Sequence, residues 1–333
     1  MEKTVYYEWV DVARGIGIFL VVLGHAIADI VHNEFLFEKL FQFIYSFHMP
    51  LFFFLSGFCG AKVFQKKRWC DKKSYIIERF KRLMIPYIFV GMCYIPVKLL
   101  MSNYVTKQIN IKYILLGFLC GDNPNSQLWT LYVLFLDAAI VCLIVNNRKY
   151  TRHILIFVTL IMSCASIFVD SSFGRNFMFE SLFYVLGLTV KIEIPSFCDK
   201  VIFNHKSAVG CGFVVGMALL IGINIYGNVD GRNPIKIVTA ILGIIVVCGI
   251  SFICKEGKVK DFLRELGKYS MDIYIMANIF QVFVRIVFLN TLKIDSFICL
   301  GLSVLLGIIV PIIISKNIVR KYKITSKLIL GIF

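Results

Sequence analysis

The sequence predicts an all-α bundle of membrane-spanning helices, about ten of them, with both termini cytoplasmic. Three observations predict it. Mean hydropathy is +0.80, and 59% of the 333 residues are hydrophobic against 17% charged. Apolar runs near the roughly 20 residues that cross a bilayer recur along the whole chain. The 36 Lys and Arg residues gather mostly in alternate connecting segments, the pattern that orients spans with their basic loops inside. Residues 1–333 therefore read as a single integral membrane domain, with no soluble module, clear internal repeat or low-complexity linker.

Span one runs from Val12 to Val31. Glu2, Glu8 and Asp11 precede it and no small-residue cleavage site follows, so it is a retained span rather than a signal peptide. A short polar loop, Asp29 to Lys39, leads to span two, Leu40 to Val63. Next comes the most basic segment of the chain, with Lys62, Lys66, Lys67, Arg68, Lys72, Lys73, Arg79, Lys81 and Arg82. That density makes the segment cytoplasmic, and the N-terminus with it.

Span three, Leu83 to Met101, opens on Pro86 in a first turn, where a missing N–H is tolerated. Ile111 to Cys120 is too short to cross and reads as an interfacial or re-entrant piece. Span four, Leu128 to Val145, returns to the basic loop at Asn146 to Arg152. Spans five and six, His153 to Val169 and Phe177 to Val190, form a hairpin around Asp170 to Asn176. Span seven, Ser207 to Ile225, carries the helix-packing spacing Gly212-x-x-x-Gly216. Spans eight, nine and ten are Ile235 to Cys254, Tyr269 to Leu289 and Phe297 to Ser315, and the tail Lys316 to Phe333 is basic and cytoplasmic.

The net charge of +16 follows from this loop bias. It points to anionic lipids rather than nucleic acid as the default partner. The 11 cysteines, among them Cys93, Cys142, Cys164 and Cys248, sit mostly inside spans. They show no Cys-x-x-Cys or Cys/His metal spacing, so neither a disulfide framework nor a metal is expected.

Chemistry is expected first on span one. At ~100° per residue, the step from Arg14 to His25 returns to within about 20° of the same face, after a rise of roughly 16 Å. Asp11 lies one turn before Arg14. Such groups inside a bilayer cost a few kcal/mol each and usually face a protein interior or a wet cavity. On span two, His48 lies at nearly the depth of His25. It either shares a cavity with that imidazole or bonds a backbone carbonyl freed by Pro50.

A neutral imidazole at His25 can take a proton from a hydroxyl. Arg79 and Arg82, three apart at the inner end of span three, suit phosphate oxygens or lipid headgroups. Ser270 and Tyr274, four apart on span nine, either donate to a developing oxyanion or pack helices. Trp129 reads as an interfacial aromatic. Asp137, Glu180, Asp272, Asn278, Gln281 and Arg285 add further polar groups inside spans.

Asp11-x-x-Arg14-Gly followed by Gly24-His25 resembles the opening motif of the membrane-bound acyltransferase family 3. Phe47-His48-Met-Pro-Leu-Phe-Phe-Phe-Leu-Ser56-Gly57-Phe is similar to that family's second-span phrase. Arg79-Phe-Lys-Arg82 before Pro86, Leu128-Trp129-Thr-Leu and Leu266-Gly267-Lys-Tyr-Ser270-x-x-x-Tyr274 match its later landmarks in order. Many members carry a histidine three residues after that tyrosine, where this chain has Ala277.

The resemblance implies transfer of an acyl group, commonly acetyl from cytoplasmic acetyl-CoA, to a hydroxyl of an extracytoplasmic or membrane-associated glycan. Some relatives add an extracytoplasmic esterase-like domain. This chain is expected to carry none, and either to acylate its acceptor directly or to hand on to a separate protein, in a bacterial cytoplasmic membrane. On this reading Arg79, Arg82 and Arg14 meet the CoA phosphates, and His25 is the general base or a transient acyl carrier. Asp11 orients Arg14, His48 shares the cavity, and Trp129, Ser270 and Tyr274 are substrate or oxyanion contacts. The competing readings are a small-molecule transporter, with the polar stripe as its pathway, and a non-catalytic membrane partner.

Overall fold

A computed structural model describes residues 6–30, 34–61, 69–100, 114–144, 149–193, 206–227, 233–254 and 256–333. Lys62, Lys66, Lys67 and Arg68 of the basic segment, residues 145–148 of the next basic loop, and 111–113 of the short apolar piece lie outside them. The described residues form helices and no strands. In order, these are α1 Glu8–Ile30, α2 Phe35–Tyr45, α3 His48–Gly60, α4 Trp69–Arg79, α5 Ile85–Leu100, α6 Ile114–Leu119, α7 Trp129–Ile144 and α8 Lys149–Ala165. Then follow α9 Ser172–Glu193, α10 Lys206–Tyr226, α11 Ile235–Ile253, α12 Lys258–Lys268, α13 Ser270–Val284, α14 Ser296–Ile314 and α15 Lys323–Leu330.

Eight stretches are long and apolar enough to cross a membrane: Glu8–Ile30, Phe35–Gly60, Cys70–Leu99, Ser126–Ile144, Tyr150–Phe168, Ile235–Ile253, Ser270–Thr291 and Ser296–Val319. The other two expected spans are also helical. Arg175, Glu180 and Lys191 dilute the apolarity of α9, and in α10 the apolar stretch is the shorter Val214–Tyr226.

Spans two and three depart from the straight rods that hydropathy suggests. Proline lacks an N–H and its ring clashes with the carbonyl four residues back. Pro50 thus disfavours a regular helix at Ser46, and the chain breaks at Ser46 and Phe47 between α2 and α3. Upstream of Pro86, the turn Phe80–Met84 widens to π-helix, a common relief for an interrupted ladder. The third span consequently starts near Cys70, well before Leu83, and Lys72, Lys73 and Arg79 lie within helix rather than loop.

The described residues fall into two compact units, Met1–Leu55 with Val190–Ile312, and Ser56–Thr189 with Ile313–Phe333. In the first, α1 is central and packs against α2, α11, α12 and α13. Its closest approach is to α12, an amphipathic helix that the sequence reading left inside a loop. A Cβ on Gly15 would stand 1.9 Å from the Leu263 carbonyl oxygen, and one on Gly267 would stand 1.8 Å from that of Asp11. Only glycine lets the two backbones touch there.

Farther along α1, Ile18, Val21 and Val22 bury against Leu266, Ile273, Ala277 and Ile308. Ala277 is thus part of an apolar core. Gln281 donates from Nε2 to the Val22 carbonyl at 2.8 Å, a polar tie from α13 to α1 inside the span.

In the second unit α4 packs on α7 and α5 on α15. Ser181 on α9 donates to Asp137 on α7 at 2.6 Å, both buried. α8 exposes Ile154, Phe157 and Ile161, the apolar face a lipid-contacting helix presents.

Candidate functional site

The first unit holds a line of polar groups along α1. At its N-terminal end Arg14 Nη1 lies 3.4 Å from Asp11 Oδ1, one turn away. The Tyr6 hydroxyl donates to the other Asp11 oxygen at 2.6 Å. Partial loss of water, then that carboxylate, push the Tyr6 phenol up to about 12, so it remains a donor at any physiological pH. Asp11 therefore takes a proton donor on each oxygen and presents Arg14 as a fixed, partly exposed cation.

More cations gather at the same helix start. Glu8 pairs with Lys260 at 3.0 Å and Arg264 at 3.1 Å, both on α12. Lys191, at the end of α9, bonds the Tyr7 hydroxyl and lies over its ring. Sequence reasoning missed this group because its members come from three distant segments.

Farther along α1, His25 Nδ1 lies 3.2 Å from the hydroxyl of Tyr45, the last residue of α2. The Tyr45 ring meets His48 edge-on, centroids 4.6 Å apart, and stacks on Phe41 at 4.0 Å. The structure thus gathers His25 and His48 around one phenol. His48 also donates from Nδ1 to the Ile44 carbonyl at 2.8 Å, at the break between α2 and α3. His48 therefore bonds a backbone carbonyl, that of Ile44, and meets the same phenol as His25.

Tyr45 itself went unnoticed. The available signal was a phenol within an aromatic run, three residues before His48. One turn beyond His25, Asp29 pairs with Arg285 at 3.0 Å.

Ser270 opens α13, and Tyr274 packs its ring against the apolar cluster under α1. In the second unit, Arg79 lies over the Tyr75 ring at 5.0 Å. Arg82, in the π turn, donates to the Leu330 carbonyl at 2.6 Å, closing the end of α15. Gly331 there has φ 63°, the left-handed cap conformation, and sits against the Lys81 carbonyl. Removing the Arg82 guanidinium is expected to cost about 1.5 kcal/mol, the lower end for a charge-assisted bond on a partly exposed group. Arg82→Ala should then lower Tm by a few degrees in detergent, measured by thermal melting. Trp129 is the first residue of α7, partly buried, behind a turn in which Asn125 accepts from the Gln127 N–H.

Long apolar helices that hold a cation and two imidazoles inside define a multi-pass integral membrane protein with an interior polar site. The chain belongs to acyltransferase family 3: the family model described as an acyltransferase domain matches residues 7–316. It is also similar to two nodulation proteins NolL. The one from Sinorhizobium fredii (strain NBRC 101917 / NGR234) is 34% identical over 82 residues, 24% of this chain and 22% of the relative. The one from Mesorhizobium japonicum (strain LMG 29417 / CECT 9101 / MAFF 303099) is 33% identical over 82 residues, 24% and 21% of the two chains. The matched stretch thus spans about a fifth of the length of these curated relatives. No solved structure matches.

Proposed function

We propose that this protein is a membrane O-acyltransferase that moves an acyl group, acetyl from cytoplasmic acetyl-CoA, to a hydroxyl of an extracytoplasmic or membrane-associated glycan. Its proposed setting is a bacterial cytoplasmic membrane with both termini inside. One observation carries the reading beyond family membership. His25 is held at Nδ1 by Tyr45, on the helix that also presents Arg14 fixed by Asp11. An imidazole held by one nitrogen works as a base through the other.

In the proposed step the acceptor hydroxyl gives its proton to His25 Nε2 while its oxygen attacks the thioester carbonyl carbon. The tetrahedral adduct collapses, the C–S bond breaks, and the imidazolium returns the proton to the leaving thiolate. His25 ends neutral. Ser270 and Tyr274 are the proposed oxyanion donors, and Trp129 is a separate candidate substrate contact. Arg14, Arg79 and Arg82 are each proposed to meet CoA phosphates, as guanidinium forks suit such oxygens.

Membranes containing the protein, given radiolabelled acetyl-CoA, are expected to pass label to a lipid-linked or surface-glycan fraction. Membranes without it should not. Acetyl-CoA at a hundredfold excess over Kd is expected to stabilise the purified protein by about 2.7 kcal/mol, read as a rise in Tm of several degrees. Absence of both label transfer and stabilisation would refute the reading and leave a transporter or a non-catalytic partner.

A further inference from the structure

We infer that Tyr45 is a positioning residue that sets which nitrogen of His25 meets the acceptor, an inference resting on the acyl-transfer reading above. Its ring is confined from three directions. Phe41 stacks on it at 4.0 Å with 30° between the planes, and His48 meets it at 65°. The third neighbour is a notch in α1: a Cβ on Gly24 would lie only 3.0 Å from Tyr45 Cε2. The residue just before His25 is therefore small enough for the phenol to slide against α1. That contact sets the hydroxyl beside Nδ1 at 3.2 Å.

The His48 ring is itself pinned by its Nδ1–H bond to the Ile44 carbonyl. The α2–α3 break, dictated by Pro50, thus fixes both the phenol and its backing imidazole.

The chemistry follows from the tautomer. For Nε2 to accept a proton it needs its lone pair, so the neutral ring carries hydrogen on Nδ1. In that tautomer Tyr45 Oη accepts the Nδ1–H, the orienting part a carboxylate plays in hydrolase triads. Tyr45 is the hydrogen-bond partner of the His25 side chain among the described residues. A phenol holds the ring without adding a charge to the bilayer interior, where an unpaired carboxylate would be costly. When Nε2 takes the proton, the same oxygen continues to accept from Nδ1, so the imidazolium needs no reorientation. No bond to Tyr45 forms or breaks.

Tyr45→Phe tests this, because it keeps the ring and its packing and deletes only Oη. In the acetyl-transfer assay kcat is expected to fall about ten- to a hundredfold, with KM for acetyl-CoA unchanged and Tm within a degree of wild type. The acid limb of the pH–rate profile should also move, a change that a packing role would not produce. Tyr45→Leu, which also removes the ring, is expected to lower both kcat and Tm. Wild-type kcat and pH profile in Tyr45→Phe would overturn the inference, as would a loss of rate matched by an equal loss of Tm. His25→Ala in the same assay separates the two readings. If it is inactive while Tyr45→Phe is fully active, only the role of Tyr45 fails; if it is fully active, the base reading fails with it.

Discussion

His25→Ala is expected to slow acyl transfer by two to four orders of magnitude while the protein still accumulates in the membrane and melts near its wild-type temperature. The rate figure is what a positioned general base typically contributes. The stability figure follows from the site. His25 is only partly buried and its side-chain bond is to Tyr45, so truncation leaves no buried charge and one phenol to find water. The measurement is label transfer from acetyl-CoA in membranes, normalised to protein amount by immunoblot. Full activity at normal expression would eliminate the proposed mechanism. His25→Gln sharpens the test, because it keeps a hydrogen-bonding group for Tyr45 but supplies no usable base.

The second large effect is structural. Gly267→Ala sets a methyl 1.8 Å from the Asp11 carbonyl oxygen, and Gly15→Ala sets one 1.9 Å from that of Leu263. Both obstacles are backbone, so no rotamer change relieves them. The two helices must part by more than an ångström along their closest contact. Overpacking of this kind costs about 1–3 kcal/mol and occasionally more. Here it also displaces the turn that carries Asp11 and Arg14.

Each substitution is expected to lower Tm by several degrees and to weaken activity beyond the loss of folded protein. Gly301→Ala is the control. Nothing lies within 4 Å of the added atom, and glycine inside a helix costs about 0.5–1 kcal/mol relative to alanine. Its Tm should hold or rise slightly. Equal melting temperatures for Gly267→Ala and Gly301→Ala would mean the α1–α12 contact is absent.

That contact shows where sequence reasoning reaches and where it stops. Asp11-x-x-Arg14-Gly15 and Leu266-Gly267 are recognisable as separate landmarks at opposite ends of the chain. Their meeting is invisible in one dimension. The same holds for Arg82, which reads as a headgroup or phosphate contact beside Arg79 and also closes the end of α15 at Leu330. It holds again for Tyr45, an unremarkable aromatic until the break at Ser46 and Phe47 sets its hydroxyl beside His25.

The sequence by itself determined the helical class, the membrane as solvent, and the alignment of Arg14 with His25 on α1. Each is a local property: apolar length and a period of 3.6 residues are written in consecutive residues. The tertiary structure decided which groups became partners. Inside a bilayer, polar side chains are satisfied by whichever neighbour packing delivers, and that depends on where glycines admit a backbone and prolines bend one. Gly15, Gly24 and Gly267 set how closely α1 is approached, and Pro50 sets where span two breaks. Those choices make a phenol, rather than a carboxylate, the partner of His25.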